Sequence, residues 1–343
     1  MMRYALILLC VSGAFILHGC SESEDNSSYK PSYTGKQGEL VVVAPKPVWN
    51  SDEANYLRAG LLALFPGLPA EEPLFSPVEV MKEGFDGVFK THRNLLEIRI
   101  DPTNELNVVK RKNVFAKNQL QITVTFNNPG EFEAFSENTL PNILMEFHRA
   151  EINRLISRNA AFGSKELNQE VEELTGLSIV LQEDITIAKS EHDFIWLRLD
   201  REKPVGGYQH QINQGIMIYS RPYTDTIQFN DSNLLQWKSA VNQQYIPGPN
   251  GSYMSISDRY LLPQINIINF NRSMAKEIRG LWRMDGVKGV HMGGPFYSLV
   301  YYDESSQKQY MVEGYVYGPQ FNKRAFVREI EAMVKSVKPS GDS

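Results

Sequence analysis

The chain has 343 residues, of which 42% are hydrophobic, 22% charged and 11% aromatic, with a formal net charge of −5. Such proportions supply a sizeable apolar core and exclude a disordered or fibrous chain. The mild acidity, and the lack of a basic stripe along any predicted helix, argue against nucleic acid as a partner.

Residues 4–17 form an apolar run after Arg3. The run is too short to cross about 30 Å of hydrocarbon as a helix, and has the size of a signal-peptide core. It closes on Leu17-His18-Gly19-Cys20, which resembles a bacterial lipobox, with His18 as the departure. Residues 1–19 are therefore expected to be a cleavable lipoprotein signal, with Cys20 the lipidated first residue of the exported chain. Ser21, rather than Asp, after Cys20 implies an outer-membrane destination by the same resemblance. The acids Glu22, Glu24 and Asp25 are similar to a surface-export signal, and equally suit a solvated tether, so periplasmic and surface faces both stay open. Residues 20–38, rich in Ser, Lys, Asn, Pro and Gly, are predicted to be that flexible tether. Cys10, the only other cysteine, lies in the signal. The exported chain then has no disulfide and no thiolate chemistry.

Past the tether, the β-branched run Glu39-Leu40-Val41-Val42-Val43-Ala44 predicts a strand, ended by Pro45 and Pro47. Ser51 or Asp52 caps a helix over 53–64, stopped by Pro66-Gly67. A proline-rich loop covers 68–77. Strands are predicted over 94–100 and 119–126, the second with Leu120, Ile122, Val124 and Phe126 on one face. Helical spacing runs from Pro129 to about 157, interrupted near Pro141, with a further helix over 165–174. Strands near 178–187 and 194–199 follow.

The order then restarts. A strand over 215–222 is followed by a helix over 233–245, a Pro/Gly-rich loop over 247–263 and a strand over 278–285. A hairpin pairs 296–302 with 309–317, and a last helix covers 322–337. The expected fold is α+β in two similar halves, 39–200 and 201–343. Each would be an antiparallel sheet with helices on one face, close to a split-βαβ plan, and the two would be related by internal duplication.

Several short motifs stand out along this frame. They are Glu39-Leu40-Val41-Val42-Val43 with Trp49, Leu68-Pro69, Glu72-Pro73-Leu74-Phe75 and His92-Arg93-Asn94-Leu95. In the second half they are Arg279-Gly280-Leu281-Trp282, Gly293-Gly294-Pro295-Phe296 and Glu313-Gly314-Tyr315-Val316-Tyr317-Gly318-Pro319 before Lys323-Arg324. On these motifs the chain resembles, over nearly its whole exported length, a family of Bacteroidota lipoproteins known as domain of unknown function 4837. The resemblance implies an envelope lipoprotein and carries no catalytic residue.

No phosphate loop, dinucleotide fingerprint or Gly-x-Ser-x-Gly elbow is present, and no cofactor is implied. His148 and Glu151 sit three apart on a predicted helix. A metal needs three or more converging ligands, so a surface pair is expected rather than a metal site. Tyrosine and tryptophan crowd the second half. Most are expected to pack in sheets, while Tyr253, Tyr260 and Trp282 near the long loop, with His291 beside Gly293-Gly294, form a candidate binding surface. The expected function is a membrane-anchored binding or structural module for an envelope protein or glycan. An envelope hydrolase acting on glycan or peptide is the alternative from another class.

Overall fold

A computed structural model describes residues 29–339. The signal segment, Cys20 and the start of the tether lie outside the described residues. The last part of the expected tether is not free. Thr34 donates its amide to Thr91 O and accepts from the Arg93 amide, and Tyr33 stacks under the Arg93 guanidinium at 4.7 Å. The aromatic face attracts the cation, so this segment is stapled to the body although its composition reads as linker.

The first half contains β1 (Glu39–Ala44), α1 (Lys46–Trp49), α2 (Ala54–Leu61), β2 (Ser76–Met81), β3 (Asn94–Ile100), β4 (Asn107–Lys112), β5 (Leu120–Phe126), α3 (Phe132–Asn138) and α4 (Leu140–Phe162). Its sheet has the order β2-β1-β3-β5-β4 and is parallel except for the β4–β5 pair. Leu120, Ile122, Val124 and Phe126 all face the helices, as their alternation predicts. Gln121 and Thr123 take the other face, beside Glu97.

The second part contains α5 (Lys165–Thr175), β6 (Leu177–Ser178), β7 (Thr186–Glu191), β8 (Phe194–Val205), β9 (Tyr208–Pro222), α6 (Asp231–Tyr245), β10 (Tyr253–Ser257), β11 (Gln264–Phe270), β12 (Ser273–Asp285), β13 (Gly293–Asp303), β14 (Lys308–Tyr317), α7 (Arg324–Lys335) and β15 (Lys338–Pro339). Its main sheet, β10-β12-β13-β14-β9-β8-β7 with β11 also on β12, is antiparallel throughout. The α+β class therefore holds, whereas duplicated halves do not. One sheet is mostly parallel, because β1, β2 and β3 are joined by crossovers, and the other is built from hairpins. Nor does the second sheet carry helices on one face. β13 and β14 are buried along nearly their whole length, so both faces need cover, and α7 and α6 supply it from opposite sides. A boundary at 200 would cut β8 in two.

One apolar core runs from β1, β3 and β5 through α4 and α7 to β9, β13 and β14. Seating α7 depends on Gly314. A Cβ there would lie 2.6 Å from Ile330 Cβ, closer than two carbons can approach. Gly314→Ala is expected to cost about 1–3 kcal/mol by overpacking, read from the urea midpoint. Gly84→Ala, with open space around it, is expected to stay within about 0.5 kcal/mol. Equal midpoints for the two variants would show that α7 is not held by this approach.

Candidate functional site

A cleft of about 800 Å³ opens at one end of the antiparallel sheet. The last residues of β12, the loop 286–292 and the first residues of β13 form its base. Arg259 and Tyr260 come from the loop after β10, Pro69 from the first half, and Pro319 and Lys323 from the approach to α7. Positive φ at Gly286 and Gly289 turns the loop, a conformation that costs glycine least. The Met284 amide donates to Met292 O at 2.8 Å and closes it.

Three of the four predicted surface residues line this cleft, in different roles. Tyr260 is 87% exposed and stands at the rim, and His291 is exposed on the loop. Trp282 is only 2% exposed. Its indole N–H donates to Val316 O at 3.1 Å, and its ring meets Tyr315 edge-on at 5.6 Å. Trp282 is thus the floor of the cleft and offers little face to a ligand. Tyr253 does not line the cleft. It packs behind the loop, where a Cβ on Gly286 would lie 2.7 Å from its ring. The pair Gly293-Gly294 also has a packing reason. A Cβ on Gly294 would lie 2.0 Å from Val316 O, and one on Gly293 would lie 2.6 Å from Trp282 O.

The charges were not anticipated. Arg259, Arg283, Lys288 and Lys323 line the cleft against one acid, Asp285. Asp285 accepts from Arg283 at 2.7 Å. The Lys323 side chain is largely buried, donates to Phe321 O, and has its pKa lowered by burial. Among the described residues no side-chain hydrogen bond or ion pair involves Arg259, Lys288 or His291. Single lysines and arginines on surface loops carry no sequence pattern, so only the folded arrangement shows that they converge.

The strongly perturbed groups lie elsewhere, in the interior. His148 and Glu151 are both buried, which corrects the expected surface pair, and they face different partners. Glu151 accepts from Asn94 and Arg154 at 2.6 and 2.9 Å and forms an ion pair with Arg93 at 2.8 Å. His148 Nδ1 lies 3.4 Å from Arg328 Nε and Nε2 lies 3.1 Å from Glu331. A neutral ring with its proton on Nε2 satisfies both contacts. Burial holds the His148 pKa below 6.5, with Glu331 opposing and Arg328 and Arg279 assisting. Burial alone would raise Glu331, yet Arg279, Lys335 and His148 together hold it well below 4.5. Glu72 accepts the amides of Lys323 and Arg324 at 2.6 and 2.9 Å, a carboxylate at the start of α7, where it meets the helix dipole favourably. On the opposite face of the sheet, buried Lys238 pairs with Glu313, which also takes the Tyr219 and Ser298 hydroxyls at 3.3 Å each.

Residues 164–336 match the family model Domain of unknown function (DUF4837). The chain belongs to this family. Residues 33–160 match a separate model, Domain of unknown function (DUF8532). The first-half motifs thus fall in a different family segment from those of the second half. The two segments meet at the end of α4, where the chain leaves the parallel sheet's helices. No curated protein matches the chain. Among the described residues no cluster of three or more His, Cys, Asp or Glu is placed to hold a metal, and no helix is long and apolar enough to cross a membrane.

Acid should weaken this interior. Both His148 and Glu331 have folded pKa values below their ordinary ones, so each stabilises above its ordinary value and loses that contribution as pH falls through the folded one. Stability is expected to decline as pH drops below about 6.5 and again below about 4.5, measured by urea midpoints from pH 4 to 8. Glu331→Gln is expected to cost about 3 kcal/mol at pH 7, because it removes the 2.7 Å partner of buried Arg279 and leaves it only Glu277 at 3.7 Å, and to flatten the acid limb. A flat profile for the parent chain would contradict the assignment.

Proposed function

We propose that this protein is a binding module, held to the outer membrane by a lipid on Cys20, whose cleft takes an anionic segment of an envelope glycan or protein. The observation that carries the reading is the charge of the cleft. Arg259 and Lys288, without side-chain partners among the described residues, line about 800 Å³ of open volume, while Asp285 is engaged by Arg283. Concave walls concentrate a field of one sign and attract counter-charged ligands. Tyr260 at the rim adds an aromatic face on which a sugar or peptide plane can rest. Pro69, Pro319 and Trp282 give a stiff apolar base. The interior histidine and carboxylates of shifted pKa lie outside the cleft, so the binding reading is preferred to a hydrolase.

The test uses two labelled probes, an oligoglutamate and an oligogalacturonate, titrated by fluorescence anisotropy. At least one is expected to bind, more weakly as salt rises. The double variant Arg259→Glu, Lys288→Glu should weaken binding about tenfold or more, a loss of about 1.4 kcal/mol or more. Lys112→Glu, on the far sheet, should leave binding unchanged. The reading fails if neither probe binds, or if the double variant binds like the parent.

The anchor is tested separately. In cells grown with a clickable palmitate analogue, the parent chain is expected to be labelled and Cys20→Ala to be unlabelled. Equal labelling of both would remove Cys20 as the attachment point.

A further inference from the structure

The sheet edges of this protein are not equally protected. An exposed edge presents unpaired N–H and C=O groups and invites pairing, so folded chains blunt it with charge, proline, a bulge or a cover. β2 carries Pro77, and its Glu79 is paired with Arg58. β4 ends in Lys110, Arg111 and Lys112. β7 has a register shift between Ile187 and Lys189, and carries Lys189 and Glu191. β10 is covered by the chain before it, for the Met254 amide donates to Ile246 O and Pro247 bridges Tyr253. β11 has none of these devices. It reads Gln264-Ile265-Asn266-Ile267-Ile268-Asn269-Phe270, without a charge or a proline, and among the described residues it pairs only with β12. Ile267 is 68% exposed, and diagonal to it on β12, opposite Asn269, Met274 is 59% exposed.

The register shows which backbone groups are free. β11 and β12 join through Asn271 and Arg272, both at positive φ, and Phe270 pairs with Ser273. In such a two-residue hairpin the closing pair is hydrogen-bonded. Hydrogen-bonded pairs alternate along an antiparallel ladder. Phe270, Ile268, Asn266 and Gln264 therefore turn their amides and carbonyls toward β12, and Ile265, Ile267 and Asn269 turn theirs outward.

We propose that β11 is a docking edge for a second copy of this chain, paired antiparallel about a two-fold axis at Ile267. In that register Ile267 meets its own counterpart and Ile265 meets Asn269 of the other copy. Both are hydrogen-bonded pairs, so every outward N–H and C=O of the three residues is satisfied. No charge faces a like charge within the strand pair. The exposed Ile267 side chains cover each other, with Ile265 and Met274 alongside. The two antiparallel sheets become one continuous sheet across the axis. This inference is independent of the cleft and its ligand.

Two measurements on the full chain in detergent test it. Sedimentation equilibrium should show a concentration-dependent dimer of the parent up to about 100 μM. Ile267→Lys sets like charges opposite each other and should lower the dimer fraction about tenfold. Oxidative crosslinking fixes the register. Ile267→Cys should form a disulfide-linked dimer beyond the background of the parent, which has Cys10 and Cys20, because Cα atoms of a hydrogen-bonded pair lie about 5.5 Å apart. Ile265→Cys and Asn269→Cys should crosslink when mixed, and neither with itself, since each is then about 14 Å from its own counterpart. The proposal is overturned by a parent that stays monomeric, by Ile267→Lys dimerising like the parent, or by crosslinking that ignores register.

Discussion

The structure depends on how one helix, α7, is held between two sheets. Its apolar stripe closes the core, but its buried charges decide where it sits. Arg328 and Glu331 are fully buried on the same helix. Arg328 reaches Leu74 O from the first half, and its pKa is pulled down to about 10 by burial. Glu331 takes His148 from α4 on one side and Arg279 from β12 on the other, at 3.1 and 2.7 Å. An unpaired buried ion costs several kcal/mol, so a helix carrying two such groups tolerates few positions. Apolar packing alone would accept small slides of α7; these pairs do not. The same contacts join segments that match two separate family models, so the two segments share one interior rather than a hinge.

Much of the frame was legible from periodicity. The β1 and β5 strands, α5 with its stop at Gly176, the β13–β14 hairpin and α7 all lie close to their expected ranges, because each has a strong apolar period or a clear end signal. Pairing was not legible. The Asn94–Ile100 and Ile278–Asp285 runs look alike as sequence, yet one pairs parallel at the centre of the first sheet and the other is the second half of a long antiparallel strand. Strand residues fix a pleated shape and a buried face, not a direction of pairing. β10 was hidden in a stretch marked as loop by Pro247, Gly248, Pro249 and Gly251, and β11 falls in the stretch after it, to which no element was assigned. β4, with its exposed Lys110, Arg111 and Lys112, has no buried face to betray it.

The candidate site divides in the same way. Tyr260, Trp282 and His291 could be grouped because aromatic and glycine-rich segments lie close in sequence. Their roles could not, since Trp282 differs from Tyr260 only by what covers it. The motifs that carry the family resemblance turn out to hold joints. Glu72 caps α7, Asn94 supports Glu151, Gly294 lets the chain pass over Trp282, and Glu313-Gly314 receives Lys238 on one face and α7 on the other. The cleft cations Arg259 and Lys288 belong to no such motif. What a sequence displays most plainly here is architecture, and the surface chemistry rests on residues that could change without disturbing it.

The contact between Glu72 and the first turn of α7 also sets the order in which the fold can be completed. Its partners lie about 250 residues apart, and loops of that size close late, because the entropy of bringing the ends together comes before the contact is gained. A chain made or threaded from its amino end can fold its parallel sheet early. It must then keep one apolar face of each sheet uncovered until α7 is present. For that interval the protein resembles two open half-cores, and its exposure to wrong association is governed by the arrival of its last helix.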